Sequence, residues 1–295
     1  MNKRLEGKAA VITGAGTGIG EAIAHKFVKE GARVLLVGLP DDPLQDVCEN
    51  IKSEYNKTDK EVCFFKGDLS KKENAEGAVE KAVDTFGRLD ILVNNAGVFL
   101  FAGPTEEYPD DKFERTIASN IKSVFYMTRA ALPHLKKTKG NIIAAGSEAG
   151  MLGLANNCVY GGTKAWIHSF IKGIAVEQGK YGIRANCVCP GPIDTAWTHK
   201  ETGPMTDDME EMVTKATIFG RRGTPEEVAN VYAFLASDEA SYVTGALYTV
   251  DGGTTIAKGP AGDQAEDDVT EKPEGKLHTE HAKDGLRNKE YDSAA

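Results

Sequence analysis

Long apolar segments are missing from this sequence, and their absence argues against a membrane protein with spanning helices. No run approaches the roughly 18 residues that a membrane-spanning helix requires. Residues 1–6, MNKRLE, lack the apolar centre of a secretion signal. An excess of positive charge is missing as well, since the net charge is −9, which disfavours binding to a polyanion such as nucleic acid. We therefore expect a soluble, cytoplasmic protein with neither a membrane nor a nucleic acid among its partners.

Cysteine pairs with the spacing of a metal or redox motif are also missing. The chain has five cysteines, an odd number, and none are arranged as C-x-x-C. Cys187 and Cys189 would share one face of a strand, as a metal or redox pair requires, but buried free thiols are the favoured interpretation. His278 and His281 would form a metal-binding pair if they lay on one helical turn, but a solvated segment is the favoured interpretation there. No metal site is predicted.

What the sequence does contain is a regular alternation of strand and helix patterns from residue 8 to about residue 250. Seven short apolar runs are typical of strands that are buried on both faces, and helical segments lie between them. This order predicts an α/β fold, namely a single doubly wound, Rossmann-like domain with a seven-stranded parallel sheet flanked by helices. The domain is expected to cover residues 1–255, with two long helices at 111–136 and 157–180.

The last segment of the chain, 256–295, breaks this pattern. It holds ten acidic and six basic side chains and few large apolar ones. Such a composition cannot form a core of its own. We expect a polar tail that is mobile or draped on the surface, and the alternative is an arm ordered against a neighbouring subunit or over the active site.

A glycine-spaced turn follows the first predicted strand. Residues 13–20 read TGAGTGIG, and a segment with helical spacing, 21–29, comes next. A strand, a glycine turn and a helix in that order aim backbone N–H groups and a helix N-terminus at one point, which favours phosphate binding. Gly14 permits the tight turn, Gly18 lets the backbone approach a pyrophosphate, and Gly20 lets the helix pack closely on the strand. A flexible surface loop is the alternative interpretation.

Tyr160 and Lys164 lie four residues apart, so on a helix they share one face. A free phenol has a pKa of about 10 and exchanges protons poorly near neutrality. A neighbouring ammonium favours the phenolate and makes general acid/base catalysis feasible. Ser147 follows the apolar run 142–145 and so falls at the carboxyl end of a strand, where its hydroxyl could hold a substrate oxygen beside the phenol. Taken alone, Y-x-x-x-K also fits an amphipathic pair on a helix surface.

Together these motifs resemble the short-chain dehydrogenase/reductase family. The run 94–97 is the family's N-N-A-G, residues 68–69 (Asp-Leu) match the pair that holds the adenine ring, and 190–195 (PGPIDT) matches the segment that meets the nicotinamide carboxamide. Asn120 falls where the family has its fourth catalytic residue. The resemblance implies a nicotinamide cofactor site made of Gly14, Gly16, Thr17, Gly18, Ile19, Gly20, Gly38, Leu39, Asp68, Leu69, Asn95, Ala96, Gly97, Tyr160, Lys164, Pro190, Gly191, Ile193 and Thr195.

The resemblance covers about residues 5–255 and implies hydride transfer between NAD(P) and a carbonyl or secondary alcohol. Tyr160 would exchange the proton, Ser147 would hold the substrate oxygen, and Lys164 would bind the nicotinamide ribose. Asn120 would help to hold a water that relays protons to the lysine. The alternative is a non-catalytic dinucleotide-binding sensor or scaffold on the same fold. The family also implies a homo-oligomer, a tetramer or dimer formed through the two long helices.

The cofactor preference is the point at which the chain departs from the family pattern. NAD-preferring members have an aspartate near the end of the second strand, where this chain has Gly38. NADP-preferring members have a basic residue just after it or in the glycine turn, where this chain has Leu39 and Thr17. Asp41 and Asp42 follow, and like-charge repulsion there would disfavour a 2′-phosphate. We therefore expect NAD.

The substrate is the least specified part of the function. Segment 196–222 occupies the family's variable substrate lid, and its large apolar side chains suggest a partly apolar ligand: Trp197, Met205, Met209, Met212 and Phe219. The same pattern also fits a helix that packs its apolar face on the core. Cys158 and Glu148 lie close to Tyr160 and Ser147 in sequence and could touch the substrate, and the alternative is that both are bystanders.

Overall fold

The sheet has the architecture that the sequence predicts. A computed structural model describes residues 3–195 and 206–273. Within those residues, seven parallel strands pair in the order β3-β2-β1-β4-β5-β6-β7. The strands are β1 (Ala9–Thr13), β2 (Arg33–Gly38), β3 (Val62–Lys66), β4 (Ile91–Asn94), β5 (Asn141–Ala145), β6 (Arg184–Pro190) and β7 (Leu247–Val250). The predicted doubly wound, seven-stranded parallel sheet is confirmed.

Helices cover both faces of the sheet. In the described part of the chain they are α1 (Gly18–Lys29), α2 (Leu44–Tyr55), α3 (Lys72–Phe86), α4 (Asp110–Ile117), α5 (Ser123–Thr138), α6 (Cys158–Gln178), α7 (Asp207–Ala216), α8 (Pro225–Ala236) and α9 (Asp267–Thr270). One apolar core contains side chains of α1, α2 and α8, and a second contains side chains of α3, α5 and α6.

Successive residues of each strand belong alternately to the two cores. In β1, Ala10 and Ile12 pack in the core of α1, α2 and α8, whereas Ala9 and Val11 pack in the core of α3, α5 and α6. All four side chains are fully buried. This is why the strands read as continuous apolar runs, since a strand covered on both faces has no solvent side. Burying one such valine or isoleucine contributes about 1.5–3 kcal/mol.

The position of β1 between β2 and β4 places the ligand crevice. Strand order reverses here, because the chain moves from β1 to one side through β2 and β3 and then returns to pair β4 on the other side. Open α/β sheets bind ligands at such a switch point, beyond the carboxyl ends of the strands. The Thr13 Oγ1 accepts a hydrogen bond from the Asn95 N–H at 2.9 Å, and the Asn95 Nδ2 donates to the Thr13 carbonyl at 3.1 Å. The glycine turn and the N-N-A-G loop are thereby joined.

The long helix expected at 111–136 is interrupted in the structure. Its first part, α4, gives way to a π-helical turn at Ala118–Lys122, and α5 begins at Ser123. Such turns change the direction of the following side chains and occur often at functional sites. Here the turn includes Asn120, whose side chain is fully buried. Since the residues on either side keep helical spacing, the sequence pattern alone does not show the interruption.

Several expectations fall on residues that the structure does not describe. Trp197 and Met205, which were assigned to the substrate lid, lie outside the described residues, as do His278 and His281 of the tail. The described part of the tail, 256–273, includes α9. Across residues 3–195 and 206–273, no helix combines the length and the apolar character needed to cross a membrane.

Candidate active site

A cavity of about 430 Å³ lies beyond the carboxyl ends of the strands, at the switch point. It brings together predicted residues from seven separate stretches of the chain. Those that line it are Gly14, Gly16, Thr17, Gly18, Ile19, Gly38, Leu39, Asp68, Leu69, Asn95, Ala96, Gly97, Ser147, Tyr160, Lys164, Pro190, Gly191, Ile193 and Thr195. Gly20 and Asn120 lie behind its wall. Phe99 and Met209 also line the cavity, and of these the sequence singled out only Met209.

The glycine turn has the shape of a phosphate cradle. Gly14 and Gly18 adopt φ values of +62° and +57°, a region that favours glycine. A β-carbon on Gly20 would overlap the Gly14 carbonyl oxygen, so the start of α1 can pack on the turn only without a side chain there. Because α1 begins at Gly18, its N-terminal N–H groups and the positive end of its dipole lie at the cavity. A β-carbon on Gly18 would lie 3.3 Å from the Thr195 Cβ and narrow the cradle. These residues fit a dinucleotide pyrophosphate.

The end of β2 also borders the cavity. There the Asp42 carboxylate occupies the space that a side chain at position 38 would fill. The Leu39 N–H donates to Asp42 Oδ2 at 2.7 Å. A β-carbon on Gly38 would overlap this same oxygen. Asp42 is half-buried and lines the cavity, whereas its neighbour Asp41 is exposed. The fold of the 39–42 loop therefore distinguishes two aspartates that the sequence alone does not.

Ser147, Tyr160 and Lys164 line one end of the cavity. Lys164 is buried in α6, its Nζ donates to the Ala145 carbonyl at 2.8 Å, and the same atom lies 5.5 Å from the Tyr160 ring centroid. Ser147 follows β5, and its Oγ accepts a hydrogen bond from the Ala149 N–H at 3.2 Å. The Phe99 ring lies against the Tyr160 ring, with centroids 5.2 Å apart. The phenol, the ammonium and the hydroxyl thus face one space, with an aromatic side chain beside them.

Asn120 connects the loop after β4 to the helix that carries Tyr160. Its Oδ1 accepts from the Val98 N–H at 2.7 Å, and its Nδ2 donates to the Val98 carbonyl at 2.9 Å and to Thr163 Oγ1 at 3.1 Å. Thr163 Oγ1 in turn donates to the Tyr160 carbonyl at 2.7 Å. The π-helical turn is what brings the amide to this position. The role of Asn120 in a proton relay stays a prediction.

A buried cluster lies behind Ser147, and the sequence pointed to only two of its three side chains. Cys187 and Cys189 are free and buried, as expected, and His168 joins them, with its Nε2 3.3 Å from the Cys189 Sγ. Hydrogen bonding from the Cys187 thiol, and then from His168, lowers the pKa of the Cys189 thiol. A β-carbon on Gly146 would lie 2.7 and 2.8 Å from the two sulfur atoms and closer still to Nε2. The three side chains therefore pack directly against the backbone of Gly146.

Two other side chains near the predicted catalytic residues are not among the described residues that line the cavity. Glu148 lies next to Ser147, and burial, with a smaller contribution from the Asp251 carboxylate, raises its pKa to about 7. A hydrogen bond with Thr254 opposes this shift. Cys158 is exposed at the start of α6. Direct contact of either with a substrate therefore stays a prediction.

Comparisons with known proteins give a consistent picture. A family model described as enoyl-(acyl carrier protein) reductase matches residues 14–255. An uncharacterized oxidoreductase of Thermotoga maritima is 38% identical over 254 residues, which cover 85% of this chain and 98% of that protein. The crystal structure of a 3-ketoacyl-(acyl-carrier-protein) reductase from Brucella melitensis, complexed with NADH, has a TM-score of 0.78 at 33% identity, with 85% and 100% coverage. A short chain dehydrogenase from Burkholderia cenocepacia in complex with NADP also has a TM-score of 0.78, at 29% identity, with 86% and 100% coverage.

Proposed function

The chain belongs to the short-chain dehydrogenase/reductase family, and from this premise we propose that it is an NAD(P)-dependent oxidoreductase acting on a carbonyl or secondary alcohol. The observation that carries the proposal is one cavity that contains both the glycine cradle and the three polar groups of Ser147, Tyr160 and Lys164. A nicotinamide cofactor supplies or accepts the hydride when it is bound. The chain supplies placement, charge and a proton.

Each catalytic residue has a proposed task that follows from its contacts. The Tyr160 hydroxyl exchanges a proton with the substrate oxygen, and the Ser147 hydroxyl donates a hydrogen bond to that oxygen. Lys164, held by the Ala145 carbonyl, keeps a positive charge beside the phenol and offers its remaining N–H groups to the cofactor ribose. Asn120 bonds both the loop at Val98 and Thr163 of α6, and so it holds the helix that carries Tyr160 against this loop.

Replacing Tyr160 by phenylalanine tests this assignment. General acid/base groups contribute about 10²–10⁴-fold to rate, so we expect Tyr160→Phe to lower turnover by at least about 100-fold while NADH binding changes little. Turnover is followed by reduced-nicotinamide absorbance across a panel of ketones, sugars, hydroxysteroids and secondary alcohols, and binding by NADH fluorescence. Tyr181→Phe, on an exposed tyrosine, is the control and should behave as wild type.

Two results would contradict the assignment. Near-wild-type turnover by Tyr160→Phe would remove the phenol from the mechanism. Tight NADH binding without turnover of any substrate in the panel would favour the alternative, a dinucleotide-binding sensor.

We propose that NAD is preferred and that Asp42 is the residue responsible. Its carboxylate stands where a side chain on Gly38 would stand, at the end of β2, and lines the cavity. A 2′-phosphate close to this carboxylate would be repelled by about 1–2 kcal/mol after solvent screening, a factor of about ten in kcat/KM. Asp42→Asn should therefore raise kcat/KM with NADPH about ten-fold and leave that with NADH within about two-fold. Asp41→Asn removes the same charge from an exposed neighbour and should change neither; equal effects of both variants would refute the assignment.

A homo-oligomer, a dimer or tetramer, is proposed as well. The faces of α5 and α6 carry aromatic side chains that are only partly covered in the single chain: Phe125 is 39% exposed, and Trp166 and Phe170 stack with ring centroids 4.6 Å apart. Pairing of these helices about a two-fold axis would bury them. Light scattering should give a mass that is a multiple of 31.7 kDa, and a stable monomer would contradict the proposal. A cytoplasmic location stays a prediction.

A further inference from the structure

The described part of the tail, residues 256–273, packs on α7. The match to the family model ends at Thr255, so this segment lies beyond the residues that the family model covers. A short helical turn at Ala261–Gln264 lies against the end of α7: a β-carbon on Gly262 would be 2.5 Å from the Thr214 carbonyl oxygen and 2.8 Å from that of Thr217. The tail and the end of α7 are therefore in direct backbone contact.

Beyond this turn, the tail joins a network of four charged side chains. Arg222 is 2% exposed and pairs with Asp194 at 3.0 Å and with Glu210 at 2.8 Å. Lys272 of the tail pairs with the same Asp194 at 2.6 Å. Asp194 belongs to the 190–195 segment and Glu210 to α7, so one buried guanidinium links the two. Among the described residues the network thus pairs two cations with two carboxylates, and the lysine is the part that the tail contributes.

Asp194 lies between two residues of the cavity wall. Ile193 and Thr195 both line the cavity, and the Thr195 Cβ is 3.3 Å from the point where a β-carbon on Gly18 would lie. On the other side of the network, α7 carries Met209, which also lines the cavity. A displacement of Asp194 or of α7 would therefore move these lining residues and change the shape of the cavity beside the glycine turn.

We propose that Lys272 is a positioning residue for the cofactor site: it holds Asp194, and through Arg222 it holds α7, so that the tail secures two walls of the cavity. The inference rests on the proposed function, because its consequence is cofactor affinity. Chemistry at the phenol is not expected to change, since Ser147, Tyr160 and Lys164 make no contact with this network among the described residues. The expected signature is a higher KM for the cofactor with an almost unchanged kcat.

The test compares Lys272→Met with Lys258→Met in the 295-residue chain. Both variants remove one positive charge from the tail, and Lys258 is exposed and outside the network. Partly exposed ion pairs contribute modestly, so Lys272→Met should weaken NADH binding about three-fold at low ionic strength. The difference should shrink in about 1 M NaCl, where charges are screened within about 3 Å. Lys272→Arg should restore the wild-type affinity, and Lys258→Met should match wild type throughout.

A second readout needs no cofactor. Amide hydrogen exchange in α7 should be faster in Lys272→Met than in Lys258→Met, because α7 loses part of its anchor. Equal affinity and equal exchange in the two methionine variants would overturn the proposal. If wild type binds neither NADH nor NADPH while exchange in α7 still depends on Lys272, the proposed function fails and the contact between the tail and α7 stands.

Discussion

Glu148 should make the protein less stable as the pH rises, and replacing it with glutamine should remove this dependence. Its carboxyl group lies mostly buried beside Ser147, and the structure raises its pKa from 4.5 to about 7, first through burial and then through the Asp251 charge. The folded protein therefore binds a proton at this site more tightly than the unfolded chain does. The stability that the group contributes is fully present below about pH 4.5 and is lost as the pH rises through about 7.

The size of the effect follows from the shift. Each pKa unit is worth about 1.4 kcal/mol, so a rise from 4.5 to about 7 corresponds to roughly 3 kcal/mol. Part of the group is in contact with solvent, which reduces this to about 2 kcal/mol. Glutamine resembles the protonated acid in shape and charge. Glu148→Gln should therefore equal wild type near pH 4.5 and exceed its free energy of unfolding by about 2 kcal/mol at pH 8.

Urea unfolding at pH 5, 6, 7 and 8 measures this difference. Glu80→Gln, on an exposed position of α3, provides the matched control and should keep the wild-type pH dependence. If the free energies of unfolding of wild type and Glu148→Gln run parallel across this range, the carboxyl titrates normally and the reasoning from burial is wrong. A stability difference that grows as the pH falls would give the opposite sign and refute it as well.

Three further substitutions test the contacts that shape the site. Gly20→Ala places a methyl group against the Gly14 carbonyl and should cost about 3 kcal/mol and abolish NADH binding; an unchanged Tm would contradict the packing of α1 on the turn. Asn120→Asp keeps the shape but sets a carboxylate oxygen against the Val98 carbonyl, so urea unfolding should show a loss of about 2–3 kcal/mol at pH 8 that lessens near pH 4 as the acid protonates. Thr224→Ala removes the side chain that caps α8 and should cost about 1 kcal/mol, whereas Thr224→Ser should be close to wild type.

The parts of the site that the sequence predicted are those encoded by neighbouring residues. The glycine spacing of 13–20 and the four-residue spacing of Tyr160 and Lys164 both translate into geometry within one turn or one helix, and both groups line the cavity. The doubly wound parallel sheet also followed, because regular alternation of strand and helix with right-handed crossovers leaves few arrangements. Residue roles carried over from the family, by contrast, stay predictions until they are measured.

Other features depend on contacts between segments that are distant along the chain or on an irregular backbone. His168 meets Cys187 and Cys189 only because α6 packs on β6, and nothing in its local sequence marks it. The choice between Asp41 and Asp42 needed the path of a short loop, in which one carboxylate turns back to the Leu39 N–H and the other faces solvent. The interruption of the long helix at Asn120 likewise leaves no trace in the apolar spacing.

The sequence by itself determined the fold class, the glycine turn and the shared helix face of Tyr160 and Lys164, because each arises from periodicity or from residues within one element. Only the tertiary structure decided which aspartate stands at the end of β2 and what the tail contacts. Lys272 and Asp194 are 78 positions apart, and their pairing depends on where the tail leaves the sheet and how it crosses α7. Local propensities do not encode such a path; it is set by the packing of the whole domain.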